Sequence, residues 1–195
     1  MDKDTKKKFK EQTKDLYAAL GRFAVEFEHI CNYLRLIIMT ILSKEGLNND
    51  KVMQIILADQ TAEPLRALVM PLISETQELT EADRKIVSKI LNLVQELTKI
   101  RNNVIHGTWF IGWASIGDDE CTSAPGVKFK KDQKGAATKN FDWKTKDFDD
   151  LANKAVKLWK LLARLNGCIS GNFKIENNFV FDADGGLSSA KKMYE

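Results

Sequence analysis

The chain has 195 residues, with 30 basic and 27 acidic side chains, a formal charge of +3 and 44% hydrophobic residues. That length buries a core without metal or disulfide staples, and so small a net charge excludes a histone-like polybasic binder. The opening residues are charged, no apolar run approaches the roughly 20 residues of a bilayer span, and Cys31, Cys121 and Cys168 lie too far apart for a zinc or disulfide framework, so a reduced, cytoplasmic protein without metal or cofactor is expected.

Only three prolines interrupt the chain, which favours long helices. Leu16, Leu20, Phe23, Phe27, Ile30, Leu34, Ile37 and Ile41 alternate steps of four and three and predict a first long helix. Gly46, with Asn48 and Asn49, is its stop signal. Shorter helices are expected over 51–58 and 63–74; Pro64 suits a first turn, whereas Pro71 is expected to kink the second of them. Thr80 and Asp83 read as a capping box that opens a second long helix. Counting 100° per residue from Ile86, the side chains of Ile90, Leu93, Leu97, Ile100 and Val104 fall within about 40° of it. Val87, Leu91, Val94 and Ile105 form a second apolar strip, which predicts a second neighbour inside the subunit or across a dimer. Gly107 is placed to end this helix as a left-handed C′ glycine.

From Thr108 the character changes. Aromatic and β-branched residues, then turn formers, then the alternation Val127-Lys128-Phe129-Lys130 predict a β-hairpin insertion over 108–143. Residues 128–146 hold seven lysines against Asp132 and Asp142, a local balance of +5, with Phe129, Phe141 and Trp143 interleaved. Lys128, Lys130, Lys131 and Lys134 are candidates for RNA phosphate contacts; alternating lysine also keeps an exposed edge soluble. Trp109 and Trp113 are expected to pack the hairpin onto the helices, with base stacking as the other use. Phe148, Leu151, Ala155, Leu158, Leu162 and Leu165 predict a last long helix over 147–166, ended by Asn166-Gly167. The tail over 172–195 reads as extended, with a small hairpin and a turn at Asp184-Gly185-Gly186; Asp182 and Asp184 are turn residues on this reading, not cation ligands. The fold class is mainly α. A single domain over 1–195 is expected, an antiparallel helical bundle with a small β-hairpin insertion between the last two long helices and a short extended C-terminal tail.

The stretch Lys99-Ile100-Arg101-Asn102-Asn103-Val104-Ile105-His106-Gly107 carries the chemistry. On the same count Asn102 and His106 fall about 160° and 200° from the core stripe, on one outward face. Arg101 lies about 60° from the stripe, with a side chain long enough to reach around. Histidine is suited to proton transfer, and arginine offers paired donors to a phosphoryl group. The plain alternative is a histidine that only caps helix carbonyls. Glu28 and Asn32, spaced i,i+4 on the first helix, are candidates to orient the pair, with a solvated helix face as the alternative. His29 beside them reads as a surface hydrogen-bonding residue. Nothing in the chain matches a P-loop, a dinucleotide-binding glycine turn or a serine or cysteine nucleophile motif.

Arg101, four residues and His106, with polar Asn102 after the arginine and a helix end at the histidine, resemble the motif of the HEPN superfamily. The resemblance covers the motif and its helix. It implies a HEPN-like bundle and a metal-independent endoribonuclease, in which Arg101 stabilises phosphate charge, His106 transfers protons and Asn102 positions one of them. It also implies a homodimer that brings two motifs into one cleft, because one histidine per subunit does not readily serve as both acid and base, and the second apolar strip is the expected part of that interface. Toxin–antitoxin or phage-defence systems use such enzymes, so RNA or a nucleotide, and an antitoxin protein, are the implied partners. The alternative is a non-catalytic, nucleotide- or protein-binding helical dimer of the same fold; a third reading is a structural helical dimer in which the motif is coincidence.

Overall fold

Local stop and start signals decide most of the element boundaries. The computed structural model describes residues 3–113, 120–132 and 135–191. Their order is α1 (Lys3–Lys44), α2 (Asp50–Leu57), α3 (Ala62–Thr76), α4 (Glu81–Ile105), β1 (Thr108–Trp109), β2 (Ser123–Asp132), β3 (Gly135–Lys144), α5 (Thr145–Gly171), a 3₁₀ turn (Glu176–Asn178), β4 (Phe179–Phe181) and β5 (Leu187–Ser189). The protein is thus mainly helical, with small β-hairpins, one of them between the last two long helices. Among the described residues no helix is long and apolar enough to cross a membrane. The chain forms two compact units, one from Met1–Phe27 and Lys99–Ala155, the other from Glu28–Thr98 and Val156–Glu195.

In the second of these units, α1 ends where Gly46 takes φ 94°. Gly46 N–H donates to Ser43 O at 3.1 Å and Leu47 N–H to Leu42 O at 3.0 Å, a Schellman cap. Asn49 then caps α2 by accepting from Val52 N–H at 3.1 Å. Pro64 sits in the first turn of α3, where its missing N–H has no helical partner to lose. The helix passes through Pro71 and continues to Thr76. The capping box forms as the sequence predicts: Thr80 Oγ1 accepts from Asp83 N–H, and Asp83 Oδ2 from Thr80 N–H, each at 3.0 Å. Asp83 is buried, and its Oδ1 also accepts from Glu176 N–H at 2.8 Å, which ties the C-terminal segment to the start of α4.

Both apolar strips of α4 are largely covered within the chain. Ile86, Ile90 and Leu97 are buried on one, and Val87, Leu91 and Val94 on the other. Of the two neighbours the sequence allowed for the second strip, most of it meets one inside the subunit, and its last member, Ile105, is exposed.

The expected stop at Asn166-Gly167 does not occur. Gly167 stays helical because its neighbours Leu165, Cys168 and Ile169 remain buried, and burial outweighs the roughly 1 kcal/mol that a mid-helix glycine costs. The helix ends where Asn172 takes φ 56° and Phe173 N–H donates to Cys168 O at 2.9 Å. Lys44 Nζ donates to Ile169 O at 2.6 Å and to the Asn172 side chain. Beyond it comes a small hairpin, as the sequence suggests. Phe179 pairs with Ser189 and Phe181 with Leu187, and Gly185 at φ 77° makes the turn.

In the unit of Met1–Phe27 and Lys99–Ala155, α1 buries Leu16, Phe23 and Phe27. Arg22 bridges to Asp149 at 3.0 Å and to Asn153 at 2.7 Å on α5. Cys121 N–H donates to Gln12 Oε1 at 2.8 Å. Strands β1, β2 and β3 form an antiparallel sheet in that order. Trp109 packs its root, with ring centres 5.6 Å from Phe141, 5.4 Å from Trp143 and 5.1 Å from Phe148. Trp109 therefore docks the hairpin onto α5, as its aromatic context predicts. All three cysteines are buried, and none is in a disulfide among the described residues.

Candidate functional site

The candidate site is built on the last turn of α4. Buried Val104 fixes the inner side of this turn, which leaves Asn102 and His106 exposed. His106 lies one residue past the helix. Gly107 does not take the left-handed conformation expected of a C′ glycine. It is required for a different reason: a Cβ there would stand 2.7 Å from Asn103 O and 3.5 Å from Trp109 Nε1.

Side chains from the sheet finish the helix instead. Trp109 Nε1 donates to Val104 O at 2.7 Å. Lys128 Nζ donates to Asn102 O at 2.6 Å and reaches Asn103 Oδ1 at 3.4 Å. A cation thus sits against the negative end of the helix dipole. Partial burial holds the Lys128 ammonium below the usual lysine range, and repulsion from Lys130 and Lys139 adds to it.

Arg101 is half-buried, with its guanidinium 5.5 Å from the centre of the Phe27 ring and Nη1 3.4 Å from Asn102 Oδ1. Glu28 and Asn32 are exposed residues of α1 that belong to the other unit. His29, expected to make a surface hydrogen bond, instead lies 5.9 Å from the Trp159 ring, on which Tyr33 stacks at 5.8 Å.

The hairpin lysines divide. Lys128 is half-buried, Lys130 and Lys131 are exposed, and Lys134 lies outside the described residues. Alternation along β2 puts Lys131 on the face opposite to Lys128 and Lys130. The register sets Lys139 of β3 directly across from Lys128. The sequence places Lys139 among the seven lysines of 128–146 but does not single it out beside Lys128, because strand pairing is not encoded in local spacing. Phe129 and Trp113 are 79% and 74% exposed, so neither packs the core; Trp113 meets Phe110 edge-on with ring centres 5.2 Å apart.

Chemically, the last turn of α4 offers a histidine open to solvent, an amide beside it, an arginine one turn back and a lysine held at the helix end. These are groups for proton transfer and for binding a phosphoryl oxygen. Among the described residues no group of three or more His, Cys, Asp or Glu side chains is placed to hold a metal ion. Two pockets of about 320 and 380 Å³ lie in the other unit, one beside Ser43, Lys44 and Asp50, the other beside Thr80, Asp83 and Glu176. No protein-family model, curated protein or solved structure matches the chain.

Proposed function

We propose that the protein is a HEPN-like, metal-independent endoribonuclease. One observation carries this reading. The Arg101–His106 pattern closes a long helix with Asn102 and His106 exposed, and a lysine is fixed on the same turn. Without a metal, the 2′-hydroxyl of RNA attacks the adjacent phosphorus, the 5′-oxygen leaves, and a cyclic phosphate results. His106 supplies or removes the proton at one of those oxygens. Arg101 donates to the non-bridging oxygens as their charge grows, and Asn102 orients one of the two.

Within one chain Arg101 is drawn over Phe27, and a single histidine cannot be acid and base at once. A homodimer with two α4 ends in one cleft supplies the second histidine. Ile105, exposed beside His106, is the member of the second apolar strip left to meet that copy. A toxin or phage-defence role, with an antitoxin protein masking the cleft, follows from the same reading. The position of Arg101 favours one alternative: the same surface binds a nucleotide or a partner protein without cleaving RNA.

The test is RNA cleavage in EDTA by the wild type, Arg101→Ala and His106→Ala. We expect metal-free cleavage that His106→Ala lowers by at least a hundredfold. Cleavage that survives both substitutions, or that needs added metal, overturns the assignment. RNA binding without cleavage selects the alternative. Full activity from a species of monomeric mass at micromolar concentration would remove the composite cleft.

A further inference from the structure

The hairpin sorts its lysines by face. Lys128 pairs with Lys139, and Lys130 with Ala137. Because side chains alternate along a strand, Lys128, Lys130 and Lys139 share one face, whereas Phe129, Lys131 and Asp142 fall on the other. Like charges directly across a sheet repel, so solubility alone does not call for a Lys128–Lys139 pair; lysines spread along the edge would serve it without that cost. The repulsion is felt, since both Lys130 and Lys139 push Lys128 down. The same face continues toward the root as Phe141 and Trp143, both half-buried, with Lys139 Nζ 5.1 Å from the Phe141 ring. Lys128 is also the side chain tied to Asn102 O, so this basic face begins at the turn that carries His106.

We infer that Lys130 and Lys139, continuing from Lys128, form a phosphate-binding track for single-stranded RNA that leads toward the end of α4. Same-face residues two apart on a strand stand about 6.6 Å from each other, a step that suits successive phosphates of an extended chain. The half-exposed rings on that face offer stacking to unpaired bases, which a duplex would hide. The direction of the track toward His106 rests on the ribonuclease reading; the binding itself does not.

Binding is measured by fluorescence anisotropy with a labelled oligouridylate of about twenty nucleotides, over a range of salt, in His106→Ala protein so that no turnover interferes. The double variant Lys130→Gln, Lys139→Gln should bind roughly tenfold more weakly, with the salt slope reduced by about 1.4, or about 0.7 per lost phosphate contact. Lys131→Gln should change neither, and duplex RNA of equal length should compete poorly. An equal loss in Lys131→Gln, no loss in the double variant, a loss that follows a lowered urea midpoint, or equal competition by duplex overturns the proposal. Cleavage is not the readout. The track can therefore fail while the ribonuclease reading stands, and it can hold if that reading falls.

Discussion

Gly126 is a glycine because Trp109 fills the place of its side chain: a Cβ there would stand 2.7 Å from the indole ring. That ring is hemmed by Phe141, Trp143 and Phe148 and cannot retreat. Gly126→Ala should therefore lower stability by about 1–3 kcal/mol, as overpacking does, and urea denaturation will read it. Cys168 is constrained electrostatically as well as sterically. Burial pushes its thiol from an ordinary 9.0 up to about 11. The unfolded chain thus loses this proton before the folded one does. The contribution to stability is whole below pH 9 and is lost as pH rises to about 11. Cys168→Ala should flatten that alkaline decline in a series of urea titrations. At pH 8 the wild-type thiol should react with iodoacetamide only as fast as the protein opens.

At the scale of elements, α4 is held by different means at its two ends. Its start follows from sequence alone, since Thr80 and Asp83 cap each other three residues apart. Its finish depends on the sheet, through Trp109 and Lys128. Trp109→Phe keeps the aromatic packing and removes the donor to Val104 O. It should cost about 1 kcal/mol and speed hydrogen exchange in the last turn next to His106, leaving the amides near Thr80 protected. The contrast shows what the sequence could tell. The three-four alternations of α1, α4 and α5 were legible because each helix has one face that must leave water. The end of α5 was not, because Asn166-Gly167 resembles a stop while burial around Gly167 carries the helix on to Asn172. The sequence suggests a left-handed C′ role for Gly107, yet it does not take that conformation, and its reason is steric: a Cβ there would stand 2.7 Å from the helix carbonyl of Asn103. The exposure of Asn102 and His106 was legible from angle alone. The basic face was not, because Lys139 joins Lys128 only through register.

For the whole molecule, the small net charge conceals an asymmetry. The unit of Met1–Phe27 and Lys99–Ala155 holds 17 basic and 13 acidic residues, a balance of +4, and the other unit holds 13 and 14, a balance of −1. A polyanion should be steered to the first of these. Ultraviolet cross-linking of oligouridylate should then mark peptides within 99–155 and leave 28–98 unmarked. Cross-links concentrated in 28–98 would contradict the placement of both the track and the cleavage site.

The make-up of that basic unit bears on how the protein is born. Its bridges join Arg22 to Asp149, Lys8 to Glu120 and Gln12 to Cys121, pairs more than a hundred positions apart. A growing chain on the ribosome therefore carries the first stretch of α1 without its partners until the start of α5 has left the exit tunnel. At about 5–20 residues per second, that delay lasts several seconds or more. Until then the buried Leu16, Phe23 and Phe27 lack the part of their unit that follows, and the basic hairpin pairs only once β3 has emerged. A chain cut short before α5 could not build this unit, so truncated products of translation would lack the candidate site.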